Sequence, residues 1–256
     1  MASEERFGYE WDRYSKILPE YETQFINWVK PFVKTDFKNK TIFDAGCGMG
    51  RNSYFVLKYG AKSVFAIDNN SKTIEAAKNN LKEFKNATVE EMNINNINLA
   101  AEYDIVMSIG VVHHLDNPNL AIRNFKKLLR PGGKLLVWVY SFEGNEWIEN
   151  YISPIRRKVT SKLPISLLHF LSYFICVPLF IYVKCFSMKN MYLRQISDFS
   201  FRHINSIIFD QLLPRVAFYW TEKECRLLFK DNGFKNVNIY RPDNNQGWTI
   251  IAENKD

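Results

Sequence analysis

A glycine-rich loop near the start of the chain is the first feature that could hold a ligand. Residues 44–50 read Asp-Ala-Gly-Cys-Gly-Met-Gly and follow the apolar residues 41–43. Glycines let a backbone turn tightly and approach a ligand closely, because no Cβ atom intervenes. Asp68 comes twenty residues after Gly48, where its carboxylate could accept hydrogen bonds from two ribose hydroxyls. Loop and carboxylate together predict that a ribose-containing ligand binds where two neighbouring strands end.

Three histidines are candidates for taking a proton from a hydroxyl group. His113 and His114 follow an apolar run at residues 103–109, and His203 lies much further along the chain. A neutral imidazole can act as a general base near neutral pH. Histidines in such positions are also commonly packed side chains without a role in proton transfer, so both interpretations stay open for each of the three. His169 lies within an uncharged run, and we expect it to be packed.

The cysteines and the amino-terminal residues bear on metals and on the compartment. The four cysteines show neither a CxxC pair nor another spacing typical of metal ligands; they are Cys47, Cys176, Cys185 and Cys225. The sequence therefore predicts no metal site and no disulfide framework, which suits a reducing cytoplasm. Residues 1–6 are mostly acidic or polar and lack the basic start and apolar stretch of a secretory signal. We expect the protein to stay inside the cell.

The elements that would position these residues follow an alternating pattern. Short apolar runs alternate with helix-like spacing from residue 40 onward, which is typical of βα units that build a parallel sheet. The fold class predicted is α/β, a Rossmann-like, doubly wound and mostly parallel sheet of seven strands with a helical insertion. The predicted strands are Thr41–Asp44, Ser63–Asp68, Thr88–Met92, Tyr103–Ile109, Lys134–Tyr140, Asn236–Tyr240 and Trp248–Ala252. The predicted helices are Asn52–Tyr59, Ser71–Phe84 with Ser71 as N-cap, Asn119–Leu129, and Thr221–Asn232 with a capping box.

Four segments are expected along the chain. Residues 1–39 form a helical cover for the ligand, 40–140 the ligand-binding core, 141–215 an insertion, and 216–256 a helix and strands that complete the sheet. The insertion is too long and too apolar for a simple connection. Within it, Leu163–Val183 carries no charged residue and has basic residues on both flanks. Its length would span a bilayer, but a single crossing would separate the final strands from their sheet. We expect a buried cap helix or a helix pair in the membrane interface.

Composition sets wider limits. The chain has 256 residues, 46% of them hydrophobic, without a repeat or low-complexity tract, which excludes collagen-like, solenoid and largely disordered proteins. Lys and Arg number 34 against 27 Asp and Glu, so that the net charge is +7. That charge would suit an anionic partner such as a phosphate, a nucleic acid or an acidic lipid, or would simply keep the protein soluble.

Together, the motifs resemble the class I S-adenosylmethionine-dependent methyltransferases. The loop has GxGxG spacing, whereas a nicotinamide-dinucleotide loop would read GxGxxG. Four further motifs follow in the family's order, and a lone glycine loop would be much weaker support. They are residues 66–69 (Ala-Ile-Asp-Asn), 103–108 (Tyr-Asp-Ile-Val-Met-Ser), 128–135 (Leu-Leu-Arg-Pro-Gly-Gly-Lys-Leu) and 229–234, which end in Gly-Phe.

The resemblance implies a set of cofactor-binding residues for S-adenosylmethionine, whose product would be S-adenosylhomocysteine. The backbone at Gly46 and Gly48 would face the methionine part, and Asp44 would position its amine. Asp68 would bind the ribose, and Asn69 would flank the adenine. Asn93 would lie beside the exocyclic amine of adenine, although Asn95 and Asn96 compete for that role. The remaining residues of the implied cofactor site are Cys47, Ser108 and Tyr14.

The acceptor is predicted less closely. A small-molecule or lipid-linked acceptor with an apolar part and an anionic part would match the insertion, and an O-methyltransferase with His113, His114 or His203 as base is the leading expectation. The alternatives are an RNA methyltransferase, for which no base-methylating or RNA-binding motif is found, and a nonenzymatic protein that binds the cofactor and docks on a membrane. We expect a cytoplasmic location with peripheral contact to the inner membrane face. The sequence does not fix the oligomeric state.

Overall fold

The described residues form one mixed sheet with helices on both faces. The computed structural model describes residues 3–100, 102–186, 191–243 and 245–255. The strand order is β3-β2-β1-β4-β5-β7-β6, with β1 to β5 parallel and β7 antiparallel to both β5 and β6. This confirms the predicted fold class. The strands are β1 Thr41–Ala45, β2 Ser63–Asp68, β3 Ala87–Glu91, β4 Tyr103–Ile109, β5 Leu129–Tyr140, β6 Val237–Tyr240 and β7 Gly247–Glu253.

The helices cover the sheet because its central strands are apolar on both faces. Ile42 of β1 lies in an apolar cluster with side chains of the helices at 20–29, 51–58 and 71–81, and the next residue, Phe43, packs with those at 118–128 and 222–231. Successive side chains of a strand point to opposite faces, so adjacent apolar residues need a helix on each side. The helices are α1 Ser3–Arg13, α2 Glu20–Val29, α3 Arg51–Lys58, α4 Ser71–Leu81, α5 Pro118–Leu128, α6 Ser153–Lys158, α7 Ile165–Cys185, α8 Met191–Ser197, α9 Phe201–Leu212 and α10 Glu222–Asp231.

Two helix starts test the expected caps. Thr221 and Glu224 form the predicted capping box at α10, with reciprocal side-chain to backbone hydrogen bonds. At α4 the predicted cap is wrong by one residue. The side chain of Asn70, rather than that of Ser71, accepts hydrogen bonds from the backbone of Lys72 and Thr73. Asn70 has the extended backbone that an N-cap requires, and Ser71 is the first helical residue.

The insertion is helical, but its uncharged run differs from the expectation. The run forms the single helix α7, with Pro178 inside it, instead of a helix pair. Nor is α7 a buried cap, since only 22% of its most apolar 18-residue window is buried. It packs along α9 through one narrow face that includes Leu168, Ser172 and Cys176. The boundaries expected between the four segments of the chain stay predictions.

Candidate functional site

A cavity of about 430 Å³ lies at the carboxyl ends of the parallel strands. Its floor is made by the segments that follow β1, β2, β3 and β4, and its other walls include residues of α1, α2, α8, α9 and the end of β5. The strand order reverses between β1 and β4, and open α/β sheets bind their ligands in the crevice at such a reversal. The cavity therefore lies where the sequence predicts a ligand.

The glycine loop forms one wall and is tied to the end of β2. The backbone N–H groups of Gly46 and Cys47 donate to the carbonyl of Ile67 at 2.9 and 2.8 Å. Gly46 has a φ of +79°, and a Cβ atom there would lie 2.6 Å from the side chain of Val111. Both facts require glycine at this position. Gly46, Cys47 and Gly48 line the cavity, as the sequence predicts.

Polar side chains at the ends of β2 and β3 continue this wall. Asp68, Asn69 and Asn93 all line the cavity. The backbone N–H of Gly48 donates to one oxygen of Asp68 at 3.0 Å. The Asn93 side chain accepts a hydrogen bond of 2.8 Å from the backbone of Asn95, which orients its amide group. Six of the nine residues expected to bind cofactor thus meet around one cavity, and three do not.

The three that lie off the cavity are held elsewhere by hydrogen bonds. The hydroxyl of Ser108, fully buried, donates to the carbonyl of Ala45 at 2.9 Å, which links β4 to β1. The hydroxyl of Tyr14 accepts from the amide of Asn205 at 3.0 Å and lies 3.0 Å from a ring nitrogen of His169. Tyr14, which follows α1, therefore ties that helix to the insertion. Neither Tyr14 nor Ser108 lines the cavity, and their contact with the cofactor stays a prediction.

Asp44 lies beneath the glycine loop rather than on the cavity wall. One carboxylate oxygen accepts a hydrogen bond of 2.6 Å from the hydroxyl of Ser53, and the other is buried without a protein partner among the described residues. Complete burial, reinforced by the charge of Asp68, raises the pKa of Asp44 to about 7. The second oxygen is thus available to a donor that the protein itself does not supply.

The structure separates the three candidate bases. His114 lines the cavity, and its Nδ1 atom lies 2.8 Å from the carbonyl oxygen of Val216. A carbonyl only accepts hydrogen bonds, so Nδ1 must carry the hydrogen, and Nε2 is the unprotonated nitrogen of the neutral ring. Burial lowers the pKa of His114 to about 4, which keeps the ring neutral near pH 7.

The other two histidines are packed more tightly. His113 is fully buried off the cavity wall, with its ring centroid 4.0 Å from that of Tyr140. His203 lines the cavity, but its ring stacks on Phe199 at 4.0 Å and meets Tyr21 edge-on. Burial and the charge of Arg51 lower the pKa of His203 to about 4. Of the three, His114 alone combines a cavity position with a hydrogen bond that leaves Nε2 unprotonated.

A pair of buried carboxyl groups was not identified from the sequence. Glu10 of α1 and Asp210 of α9 both line the cavity and hydrogen-bond to each other. Burial raises the pKa of both groups, and the charge of Asp210 raises the pKa of Glu10 further, whereas the Arg51 guanidinium opposes both increases. The hydroxyl of Tyr140 donates to Asp210 at 3.2 Å. Because 200 residues separate Glu10 and Asp210 in the sequence, no local motif could have predicted that their carboxyl groups meet.

Arg51 is the second group that the sequence analysis missed. It follows the glycine loop directly, and its guanidinium lies within about 5 Å of the ring centroids of Trp11, Tyr21 and Trp28. Aromatic faces attract a cation, so three rings fix the guanidinium at the junction of α1, α2 and the loop. Its position immediately after the last glycine of the loop was the available signal.

Known proteins resemble this chain in both sequence and fold. Residues 36–156 match the family model of a methyltransferase domain. Over 134 residues the chain is 27% identical to a ubiquinone biosynthesis O-methyltransferase of Pseudomonas paraeruginosa, a match that covers 50% of this chain and 56% of that protein. It is 29% identical over 112 residues to a tRNA U34 carboxymethyltransferase of Actinobacillus succinogenes, covering 43% and 35%. The family match and these relatives support a class I S-adenosylmethionine-dependent methyltransferase.

A solved methyltransferase has the same fold. Magnesium protoporphyrin IX methyltransferase of Synechocystis, with S-adenosylhomocysteine bound, superposes with a TM-score of 0.56 over 93% of this chain and 84% of that one, at 15% identity. This likeness concerns the fold. The matches to the two curated relatives span about half and about a third of those proteins' lengths.

The cavity of this methyltransferase fits S-adenosylmethionine, the cofactor of its family. The glycine loop brings the backbone of Gly46 and Gly48 to the cavity wall, and Asp68 offers a carboxylate for ribose hydroxyls. The buried oxygen of Asp44 that lacks a protein partner suits an ammonium group beneath the loop. Met92 and Ile94 add apolar walls beside Asn93 for a flat base. These residues would hold the methionine, ribose and adenine parts in that order.

Proposed function

We propose that the protein transfers a methyl group from S-adenosylmethionine to a hydroxyl group of a small, partly apolar acceptor. When bound, the cofactor supplies a methyl group that is already activated by a sulfonium. The observation that carries the proposal is the tautomer of His114, whose carbonyl partner leaves Nε2 ready to accept a proton. Such a group is needed for a hydroxyl acceptor and not for an intrinsically nucleophilic one.

His114 acts as the base in this proposal. Its Nε2 takes the proton of the acceptor hydroxyl while the oxygen forms its bond to the methyl carbon and the carbon–sulfur bond breaks. The positive charge moves from sulfur to the imidazolium, and Nδ1 stays hydrogen-bonded to Val216 throughout. Holding the reactants in line is the larger contribution, worth roughly 7–11 kcal/mol, and a positioned base adds about 10²–10⁴-fold.

The chamber beyond the glycine loop supports a small acceptor. It is enclosed by α1 and α9, and its walls combine the rings of Phe7 and Tyr140 with the carboxyl pair of Glu10 and Asp210. The carboxyl pair could accept a hydrogen bond from an acceptor hydroxyl and hold the molecule by its polar end. Arg215 is exposed at the cavity and would suit an anionic group of the acceptor.

Methyl transfer to separate acceptor classes tests the proposal. The protein is incubated with methyl-labelled S-adenosylmethionine and, in parallel, with phenolic ring compounds, polyprenyl phenols and unfractionated tRNA. We expect label in the organic extract from a phenolic acceptor, and a loss of at least about 100-fold in turnover with His114→Gln at unchanged S-adenosylhomocysteine affinity. Label in the tRNA fraction alone would overturn the small-molecule acceptor. Full turnover with His114→Gln would overturn the proton transfer.

A further inference from the structure

Exposed apolar side chains are concentrated in one stretch of the surface. Among the described residues, fourteen of the eighteen exposed large hydrophobic side chains lie between Trp147 and Phe186. On α7, Phe170, Phe174, Val177 and Ile181 are 47–66% exposed and recur at the spacing that places them on one helix face. Large contiguous apolar patches are rare on soluble monomers and mark surfaces that bind something apolar.

The charges around this apolar face have one sign. From residue 150 to residue 197 the sequence holds seven Lys or Arg and no Asp or Glu. Lys158 and Lys162 are exposed just before α7, and Lys184 is exposed in its last turn. An apolar helix with cations at both ends matches an anionic lipid surface, where the rings enter the acyl region and the ammonium groups reach the headgroups.

Polar contacts on the inner face of α7 favour a helix that lies on the membrane surface over one that crosses the bilayer. The hydroxyl of Ser172 hydrogen-bonds with the side chain of Asn205 on α9 at 3.0 Å, and a ring nitrogen of His169 lies 3.0 Å from the hydroxyl of Tyr14, which follows α1. By length and composition α7 is the one helix in the described part of the chain that could cross a bilayer. Crossing would carry these polar partners into hydrocarbon or break their bonds, which costs free energy.

We propose that the protein docks on anionic phospholipid membranes through the outer face of α7 and the basic residues beside it. The helix lies parallel to the surface, with the methyltransferase domain outside the bilayer. The inner face of α7 packs on α9, whose other side carries His203, Asp210 and Gln211 on the cavity wall. Docking would therefore bring the acceptor chamber next to the lipid phase, from which an apolar acceptor could enter.

The basic residues just before α7 differ in exposure. Lys158 is exposed, whereas Arg156 is only 2% exposed. Its guanidinium donates to the hydroxyl of Ser153 at 2.8 Å and to the carbonyl of Gln211 at 3.3 Å. Arg156 therefore belongs to the wall between the insertion and the acceptor chamber. Lys158 and Lys162, which have no such bonds among the described contacts, are the cations to test.

Co-sedimentation with vesicles tests the docking without any acceptor. The protein is mixed with vesicles of phosphatidylcholine alone or of phosphatidylcholine with phosphatidylglycerol, at low and high salt. We expect binding that increases with phosphatidylglycerol and falls with salt. Phe170→Ser combined with Phe174→Ser should lower the partition coefficient at least about tenfold, and Lys158→Gln with Lys162→Gln roughly 30-fold on the anionic vesicles.

Matched variants elsewhere on the surface control for general effects. Val33→Ser with Leu227→Ser removes exposed apolar side chains, and Lys72→Gln with Lys82→Gln removes exposed cations; both pairs should leave vesicle binding unchanged. S-adenosylhomocysteine affinity and the melting temperature are measured for every variant, so a loss of folding or of cofactor binding is distinguished from a loss of docking.

Four outcomes would overturn the proposal. The protein could stay in the supernatant with every vesicle composition, or the control pairs could lower binding as much as the α7 pairs do. Alternatively, the phenylalanine pair could abolish a concentration-dependent dimer in a protein that binds no vesicles, which would make the α7 face a contact between two copies of the chain. Resistance of the bound protein to extraction by alkaline carbonate would replace surface docking with insertion across the bilayer.

Discussion

The backbone N–H of Gly48 donates a hydrogen bond of 3.0 Å to the carboxylate of Asp68. This bond joins the two features on which the sequence interpretation rests, the glycine loop after β1 and the acidic residue at the end of β2. It holds the carboxylate against the loop while Asp68 still lines the cavity. The side chain therefore fixes the loop while it faces the cavity, where we expect it to bind the ribose.

Replacing Asp68 tests the ribose assignment. Asp68→Ala should weaken the binding of S-adenosylhomocysteine by about 1.5–3 kcal/mol, because hydrogen bonds to a charged group are lost. Asp68→Asn keeps one acceptor oxygen and should lose less. Titration calorimetry gives both affinities, and circular dichroism checks that each variant is folded. A folded Asp68→Ala protein with unchanged affinity would show that the ribose binds elsewhere.

Gly46 should tolerate no side chain. A Cβ atom would lie 2.6 and 2.7 Å from the two methyl carbons of Val111, and the φ of +79° is one that alanine rarely adopts. We expect Gly46→Ala to weaken cofactor binding at least about tenfold and to lower the melting temperature, since strain of this kind costs roughly 1–3 kcal/mol. Gly132→Ala is the control, because its φ of +76° is similar but nothing lies within 4 Å of the added atom. Equal effects on cofactor affinity in the two variants would contradict the steric argument.

The sequence predicted the sheet and the cofactor side of the cavity because their signals are local. Strands such as β1 and β4 are buried on both faces and read as short, mostly apolar runs, and residues that line the cavity follow them directly. Gly46, Gly48 and Asp68 could thus be placed at the cavity from spacing alone. Tyr14 does not line the cavity, and its sequence position before the core has no such marker, because its partners lie in α7 and α9.

The acceptor side could not be predicted for a related reason. Its carboxyl groups come from α1 and α9, and only the packing of the insertion on the amino-terminal helix brings them together. The exposure of α7 could not be predicted either, because an uncharged run has the same sequence pattern whether its side chains are buried in protein or face outward. Contacts between distant segments decide both features.

The carboxyl pair should govern acceptor binding and leave the cofactor unaffected. Asp210→Asn keeps a hydrogen-bonding side chain beside Glu10 but removes the carboxyl group of Asp210 from the chamber wall. We expect KM for the acceptor to rise about tenfold, since a hydrogen bond to a charged group contributes about 1.5–3 kcal/mol, while the S-adenosylhomocysteine affinity stays the same. Steady-state kinetics measures KM for the acceptor, and calorimetry measures the S-adenosylhomocysteine affinity. If the variant lost cofactor affinity instead, the carboxyl pair would have to be assigned to the cofactor site.

The three histidines should differ in their effect on turnover and its pH dependence. Burial holds the pKa of His114 at about 4, so a reaction that uses its neutral ring should have a constant rate from about pH 6 to 8, without a step near 6.5. His114→Gln should reduce kcat, whereas His203→Gln should affect KM more, because that ring is stacked in the wall. A variant set in which His203→Gln alone abolishes turnover would transfer the role of base to His203.

The buried carboxyl group of Asp44 should lower the free energy of unfolding at high pH. Burial raises its pKa to about 7 in the folded state, above the ordinary value of 3.8 for an exposed aspartate, so the folded protein holds the proton more tightly than the unfolded chain does. The stability due to this proton is present below pH 3.8 and is lost as the pH rises toward 7. Asp44→Asn, which removes the titration, should therefore raise the free energy of unfolding more at pH 8 than at pH 5, by roughly 2–3 kcal/mol. Denaturant unfolding without cofactor at the two pH values measures the difference. A gain of equal size at both would mean that the buried carboxyl group titrates normally.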